Sequence, residues 1–420
     1  MVYIGPTMIR VLWLIQVGML AVVAAPSAAR AQTKAVRFGH LWDGARVIAD
    51  AFVIIENDRI TSVGSGNAAV PTGAEVIDLR RYTGIPGLID LHTHMTYYWD
   101  RQPGTQPRRG PRRLPAVTVY LAQDNAKRTL DTGVTTVRDL GASNDMDLAM
   151  RDLINLRAMP GPRMFVSGTG FSSRPGAPID LEALRKNVDD HVKAGVDCIK
   201  VYGSVGGFDN VNTTQTLSFD QMKTIVDAAH AQKKKVAIHS YGPSGVKDAV
   251  RAGADSIEHG IDLDDDTLAE MSRRGIVWVP TIDHNQYYID AKDEYGFKPE
   301  AIGPLQEYIE KNFESAKRAV KAGVKLGMGS DAVYTMFGRN TRELVWFVKA
   351  GLTPEQALVT ATTTAAALLD MQDKLGRVAP GYLADLVAVE GDPLKDINAV
   401  VSGVRWVMKD GTVVVDKRGK

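Results

Sequence analysis

The sequence predicts an α/β protein, a (β/α)8 TIM barrel with a small β-sandwich domain formed by the N- and C-terminal segments. In the middle of the chain, short apolar runs end in polar or glycine-rich turns, and helix-compatible stretches separate most of these runs. Strands that alternate with helices in this way form parallel sheets, and eight such units are the pattern of a TIM barrel. The runs are continuously apolar, as in strands that are buried on both faces.

Both ends of the chain contribute to the predicted small domain, which combines residues 32–84 with residues 376–420. In the first segment, the runs 51–55 and 60–64 stand on either side of a polar break, as in a β-hairpin. In the second segment, two β-type runs flank the turn at 409–411. We expect this domain to close the barrel's ends and to take no part in the chemistry.

Residues 85–375 are predicted to form the barrel itself. Helix-compatible stretches such as 219–232 and 301–322 lie between its apolar runs. The eight predicted strands are the runs 84–94, 134–141, 163–170, 196–203, 236–241, 256–260, 277–281 and 325–331.

Composition excludes several classes of protein. The formal net charge is +1, so no overall field favours nucleic acid or an acidic membrane. Cys198 is the single cysteine, which excludes an internal disulfide framework and a cysteine-rich zinc site. A lone cysteine of this kind is typical of a small buried apolar residue.

The first 31 residues have the form of a secretory signal peptide. Arg10 precedes an apolar run over 11–23, and Ala29-Arg30-Ala31 supplies small residues where signal peptidase cuts, before Gln32. The chain could start at Met1 or at Met8. The alternative is a membrane anchor, but the run is shorter than the roughly 20 residues that a span needs. We expect export to the periplasm or the medium, with no membrane attachment after cleavage.

Four histidines and an aspartate lie at the ends of predicted barrel strands. His92 and His94 are two residues apart, so they point to the same side of the first strand. His239 and His259 end neighbouring runs that are one βα unit apart, and Asp331 ends the last run. The C-terminal ends of barrel strands surround one cavity, and imidazoles that converge there can hold a divalent metal. The pattern predicts a metal site.

Lys200 lies within a predicted buried strand, where an unpaired ammonium group would be costly. One interpretation is that its side chain extends along the strand end to reach solvent. The other is that a desolvated amine has captured CO2 as a carbamate, whose two oxygens could bridge two metal ions.

With these residues in place, the chain resembles the binuclear, carboxylated-lysine branch of the amidohydrolase superfamily. Within that branch it is similar to the imidazolonepropionase-related amidohydrolases, which include Xaa-Pro dipeptidases and ochratoxin-hydrolysing amidases. The resemblance runs from about residue 35 to 416 and is carried by five motifs, which are Pro86-Gly87-Leu88-Ile89-Asp90-Leu91-His92-Thr93-His94, Gly133-Val134-Thr135-Thr136-Val137-Arg138-Asp139, Ile257-Glu258-His259-Gly260, Gly329-Ser330-Asp331 and the closing segment 376–387.

The resemblance implies a binuclear site with six ligands, His92, His94, Lys200, His239, His259 and Asp331. The first two histidines and the aspartate would hold the more buried ion, His239 and His259 the other, and the carbamate on Lys200 would bridge them. The two divalent ions, usually zinc in such enzymes, would supply a bridging hydroxide and polarise the scissile carbonyl. Asp331 would pass the proton of that hydroxide to the leaving amine.

Two further residues are candidates for catalysis. Tyr202 follows Lys200 by two positions and points the same way, and in similar dipeptidases a tyrosine here meets the substrate carboxylate or the developing oxyanion. His284, after the seventh predicted strand, could hydrogen-bond the substrate. For both residues, a packing or loop role is the alternative. Many relatives have a histidine after the third strand that helps to hold substrate, whereas residues 167–173 contain none. The remaining histidines, His40, His191 and His230, are interpreted as structural.

The predicted substrate is a small amide that carries a carboxylate, such as a dipeptide or an N-acyl amino acid. Residues 97–115 contain five arginines and form a loop that could be a solvated segment or a cationic lid. Tyr97, Tyr98 and Trp99 could supply a wall for an aromatic amide, such as an ochratoxin-like mycotoxin. The alternatives are a cyclic amide, lactone, carbamate or phosphotriester at the same site, or a non-catalytic periplasmic binding protein. Enzymes of this kind often form homo-oligomers.

Overall fold

The computed structural model describes residues 33–66, 70–110, 112–174, 180–205 and 213–419. The predicted signal peptide lies outside these residues. In chain order the strands of the described residues are β1 (Thr33–Trp42), β2 (Val47–Glu56), β3 (Arg59–Ser65), β4 (Glu75–Pro86), β5 (Leu88–Thr93), β6 (Val134–Asp139), β7 (Arg163–Val166), β8 (Cys198–Tyr202), β9 (Lys235–His239), β10 (Ser256–Glu258), β11 (Val277–Val279), β12 (Lys325–Leu326), β13 (Leu386–Val389), β14 (Val404–Lys409) and β15 (Thr412–Asp416).

The two ends of the chain meet in one seven-stranded sheet, with the order β15-β14-β13-β4-β1-β2-β3. Strands β13 and β4 pair antiparallel and so join the C-terminal segment to the N-terminal one. The core of this sheet contains Phe38, Leu41 and Trp406, which are all fully buried. The prediction that both termini build one sheet region agrees with this order, while a second, facing layer stays a prediction.

The middle of the chain forms two parallel sheets, one with the order β5-β6-β7 and one with the order β12-β11-β10-β9-β8. A parallel bridge between Phe171 and Val201 joins the segment after β7 to β8. A second bridge, between Thr93 and Ala332, joins β5 to the segment after β12. The two sheets therefore contact each other along both edges.

The described helices follow most of the parallel strands. Helix α4 begins with a capping box: the Ser218 hydroxyl accepts from the backbone N–H of Gln221, whose side chain accepts from the backbone N–H of Ser218 in return. The helices are α1 (Pro115–Leu130), α2 (Met146–Asn155), α3 (Leu181–Ala194), α4 (Phe219–Ala231), α5 (Pro243–Ala252), α6 (Asp265–Arg274), α7 (Ile282–Asp290), α8 (Lys292–Tyr295), α9 (Ile302–Lys321), α10 (Glu343–Lys349), α11 (Pro354–Thr360), α12 (Thr363–Leu368) and α13 (Asn398–Ser402). None of the helices in the described ranges has the length and apolar character needed to cross a membrane.

The observed strands are shorter than the predicted runs. The run 84–94 is divided, because residues up to Pro86 pair in the terminal sheet and the parallel strand begins only at Leu88. The last run is regular only over Lys325–Leu326, since the chain then leaves the sheet pattern on its way to Asp331. Three of the candidate site residues, His94, His259 and Asp331, lie beyond the ends of the observed strands.

Candidate metal centre

His92, His94 and Asp331 converge at the C-terminal end of β5. All three are buried, and one ligand atom of each lies within 4.8 Å of the other two. Nε2 of His94 is 3.2 Å from Oδ1 of Asp331, and Nε2 of His92 is 3.5 Å from the same oxygen. Two imidazoles and a carboxylate at this spacing are a donor set that suits zinc and other divalent metals.

Backbone contacts bring Asp331 to the histidines. Its N–H donates to the carbonyl of His92 at 2.7 Å, and its φ of 50° turns the chain at that point. Gly329 allows this close approach, because a Cβ there would lie 2.3 Å from Cγ1 of Val279 and 2.9 Å from Cβ of His92. The Asp90 carboxylate accepts from the N–H and the hydroxyl of Ser330 at 2.9 and 2.5 Å, which fixes the same turn.

The other two candidate histidines lie beside this cluster on adjacent strands. His239 ends β9, and His259 follows β10 directly. Their ring centroids are 4.4 Å apart, and the ring of His259 is 5.2 Å from that of His92. Burial lowers the pKa of His92 to about 4 and also lowers the pKa of His239 and His259. The imidazoles are therefore neutral near pH 7, as metal ligands must be.

Lys200 points into the same centre from β8. Its side chain is 1% exposed, and Nζ lies 3.3 Å from Nε2 of His92. Burial lowers the pKa of this amine to about 8. An amine with that pKa is neutral in a sizeable fraction of molecules at neutral pH, and the neutral amine is the form that reacts with CO2.

Three of the histidines have the Nδ1 atom engaged by a partner. Nδ1 of His92 is 2.9 Å from Oε2 of Glu258, Nδ1 of His94 is 3.0 Å from the carbonyl of Gly141, and Nδ1 of His259 is 2.6 Å from the Thr281 hydroxyl. A partner that accepts from Nδ1 fixes the tautomer in which Nε2 carries a lone pair. The residues present therefore fit a divalent metal.

The two further candidates also border the centre. Nε2 of His284 is 3.2 Å from Oδ2 of Asp331, and its Nδ1 is buried with no hydrogen-bond partner among the described residues. Tyr202 is partly buried; its ring centroid is 5.1 Å from Nζ of Lys200, and its hydroxyl is 3.5 Å from the carbonyl of Leu140. All eight predicted site residues thus lie in one region.

The predicted loop after the first barrel strand approaches this region through Tyr97. The Tyr97 ring stacks on His94 with centroids 4.7 Å apart, and its other neighbour is Tyr334 at 5.8 Å. Together with Arg108 and Arg113, these two tyrosines line a cavity of about 200 Å3. The structure therefore brings aromatic and cationic groups close to the candidate metal ligands.

The arrangement of the site agrees with what the chain as a whole is similar to. Residues 83–414 match the model of the amidohydrolase family. The chain belongs to this family. Ochratoxinase from Aspergillus niger is 29% identical over 354 residues, which are 74% of this chain and 71% of that relative. Imidazolonepropionase from Alkaliphilus metalliredigens is 23% identical over 412 residues, which are 88% of this chain and 92% of the relative.

A solved structure gives the same relationship. A Xaa-Pro dipeptidase with methionine bound in its active site is 29% identical to this chain and superimposes with a TM-score of 0.82, over 91% of this chain and 99% of that one. Membership of the family, with relatives of this kind, makes the protein a hydrolase that acts on carbon–nitrogen bonds. The His92–His94–Asp331 cluster indicates divalent metal binding.

Sequence reasoning missed two charged residues of the site, Arg138 and Glu258. Both lie inside motifs that carry the family resemblance, but neither was a candidate. A signal was present, since each is a charged residue within a strand predicted to be buried, and opposite charges that are both buried must pair.

Proposed function

We propose that the protein is a binuclear metal-dependent amidohydrolase that cleaves the amide bond of a dipeptide or an N-acyl amino acid. The observation that carries this proposal is the convergence of Lys200, His92, His94 and Asp331, in which each side chain has a nitrogen or oxygen within 3.5 Å of another. The four residues come from β5, the position directly after it, β8 and the segment after β12, so only the folded chain assembles them.

The ligand set of the proposed site has two halves. His92, His94 and Asp331 would hold one ion, His239 and His259 the other, and Lys200 as a carbamate would join them. Zinc suits these nitrogen and oxygen ligands. When bound, the ions would supply Lewis acidity, which lowers the pKa of a coordinated water and polarises the substrate carbonyl.

The chain's own residues would handle the proton and the substrate. The Asp331 carboxylate is positioned to accept a proton from the attacking water and to deliver it to the leaving amine, since only an ionised carboxylate can do the first and only its acid the second. His284, 3.2 Å from Asp331, would orient that carboxylate or donate to the substrate carbonyl. Tyr202 would direct its hydroxyl to the substrate carboxylate or to the oxyanion.

The surroundings of the site support a substrate with an apolar group and a carboxylate. The stacked Tyr97 ring gives an aromatic surface, and Arg108 and Arg113 line the neighbouring cavity, where the Arg113 guanidinium pairs with the Asp100 carboxylate. A dipeptidase with bound methionine and an ochratoxinase are both relatives, which supports an amino-acid amide. A cyclic amide is the second candidate, because imidazolonepropionase is a relative and residues 167–173 lack the histidine that many dipeptidases of this type use.

We also propose the architecture and location that this function implies. The bridges Phe171–Val201 and Thr93–Ala332 support closure of the eight parallel strands into a (β/α)8 barrel. The small terminal domain would be a β-sandwich that covers the end away from the metal ligands. The predicted signal peptide supports an exported enzyme, and homo-oligomers are common in such families.

One assay tests this function. The protein without residues 1–31 is loaded with zinc and given Xaa-Pro, Xaa-Lys or Xaa-Arg dipeptides, N-acyl aromatic amino acids and a cyclic amide. Each linear substrate is paired with a copy whose terminal carboxylate is an amide. We expect two zinc ions per chain, turnover of at least one linear substrate and little turnover of its capped copy. Turnover of the cyclic amide alone would replace the proposal with the second candidate. Bound zinc with no turnover of any member would contradict both.

A further inference from the structure

A buried ionic network leads from β6 to a proposed metal ligand. Arg138 on β6 and Glu258 on β10 are 1% and 0% exposed. Nη2 of Arg138 donates to Oε1 of Glu258 at 2.8 Å, and the Ser256 hydroxyl donates to the same oxygen at 2.6 Å. The other carboxylate oxygen, Oε2, is 2.9 Å from Nδ1 of His92. The Glu258 carboxylate thus contacts Arg138 through Oε1 and His92 through Oε2.

Arg138 also holds the strand that carries His92. Its Nε donates to the carbonyl of Leu91 at 2.7 Å, and its Nη1 donates to the Ser256 hydroxyl at 2.9 Å. One guanidinium therefore ties β5, β6 and β10 together in a fixed geometry, which the planar fork of arginine favours. Because the arginine and the glutamate are an ion pair, the network adds no net charge beside the imidazole.

Glu258 differs from the partners of the other histidines. His94 and His259 have Nδ1 against a neutral carbonyl and a neutral hydroxyl, whereas His92 has it against a carboxylate. A carbonyl or a carboxylate can only accept, but the carboxylate binds an N–H more strongly and makes the imidazole more electron-rich. Nε2 of His92 also lies 3.3 Å from Nζ of Lys200.

We propose that Arg138 and Glu258 are positioning residues that fix His92 in the tautomer with an open Nε2, and so set the affinity of the ion held by His92, His94 and Asp331. The inference rests on the proposed metal site. It adds an assignment for two residues outside the six proposed ligands.

Replacement of Glu258 by glutamine gives a sharp test, because Arg138 dictates how the amide must sit. The amide oxygen has to face the guanidinium, so its NH2 group faces Nδ1 of His92. That nitrogen must then accept, and the proton moves to Nε2, where it blocks the metal. Glu258→Gln changes the shape of the side chain very little, yet it reverses the tautomer.

The experiment measures zinc affinity by competition with a chelator in the full mature chain. We expect Glu258→Gln to weaken binding of the ion held by His92, His94 and Asp331 by roughly 10- to 100-fold, the range for partners of metal-bound histidines. Ser256→Ala is the matched control; it removes the hydroxyl that contacts Oε1 of Glu258 and Nη1 of Arg138 but keeps the Arg138–Glu258 pair. Its zinc affinity should stay within about threefold of wild type, because the carboxylate that accepts from Nδ1 is kept.

A second measurement keeps the test independent of metal binding. In metal-free protein with nitrogen-labelled histidine, the NMR shifts of His92 should report the Nδ1–H tautomer in wild type and the Nε2–H tautomer in Glu258→Gln. An unchanged tautomer, or equal zinc affinity in the two proteins, would overturn the inference. A wild-type protein that shows the expected tautomer but binds no zinc would instead contradict the proposed function and leave the orientation of His92 supported.

Discussion

Two arginine–carboxylate networks contact neighbouring parallel strands, and they end differently. In the first, Arg138 and Glu258 lead to His92, whose Nε2 faces Lys200 and Asp331. In the second, Arg163 at the start of β7 donates to Asp385 at 2.9 Å and to Asp410.

The second network consists of contacts among side chains and backbone groups that include none of the proposed metal ligands. Asp385 accepts from the N–H of Asp410 at 2.9 Å, and Arg163 also donates to the Thr136 hydroxyl at 2.7 Å. It fastens β7 to the turn between β14 and β15 and so holds the terminal sheet against the parallel strands. A buried ion pair by itself indicates only a structural role, because breaking one is costly wherever it lies. What distinguishes the first network is that it ends at Nε2 of His92, inside the cluster of proposed metal ligands.

The largest expected effect is at the end of the first network. Asp331→Asn keeps the size of the side chain but removes its capacity to take a proton, so turnover should fall by roughly 10²- to 10⁴-fold. Steady-state hydrolysis of the best amide substrate measures this. The matched control is Asp410→Asn in the second network, which should retain turnover. Full activity of the Asp331→Asn enzyme would show that another group moves the proton.

The next largest effect is expected at Lys200, the proposed bridge between the two metal ions. Its replacement tests whether the site holds one ion or two. Lys200→Ala removes the proposed bridge, so zinc content should fall from two ions per chain to one or fewer, as measured by elemental analysis of the folded protein. Lys200→Arg is the control for charge, because a guanidinium stays protonated and does not form a carbamate. A small added carboxylate should restore part of the activity to the alanine variant alone. Two ions in both variants would remove Lys200 from the site.

A third substitution tests the second network. We expect it to lower the free energy of unfolding and to leave turnover unchanged. Arg163→Met leaves Asp385 without its cation and leaves Asp410 with Lys409 alone, so the free energy of unfolding should fall by about 3 kcal/mol. Urea unfolding of the metal-free protein measures it. Zinc content and turnover of the folded variant should match wild type, because Arg163 contacts none of the proposed ligands. Loss of zinc from a folded variant would mean that the two networks are coupled through the strands.

The metal-ligand positions could be predicted from the sequence, whereas the strand ends and the partners of the ligands were harder to predict. Ligand positions followed from the ends of apolar runs, because strand ends of a barrel meet at one cavity, and the structure gathers His92, His94, Lys200 and Asp331 there. The strand ends were predicted less well, since pairing of residues up to Pro86 in the terminal sheet is a tertiary contact that local hydrophobicity does not encode. Glu258 pairs with Arg138, which lies 120 residues away in the sequence, and no local pattern specifies such a pair.

The smallest effect is expected at Asp410, and it tests whether the charge of this residue stabilises the second network. Burial raises the pKa of Asp410, but Arg163 and Lys409 outweigh it and hold that pKa below its usual value. A carboxyl group whose pKa is lower in the folded state stabilises the fold above its unfolded pKa and loses that contribution as pH falls through the folded value. Metal-free wild type should therefore lose more thermal stability than Asp410→Asn between about pH 5 and about pH 3, so the two melting temperatures converge in acid. Parallel losses would show that the Asp410 charge contributes nothing to the contact. The Arg163–Asp385 pair alone would then fasten the terminal sheet.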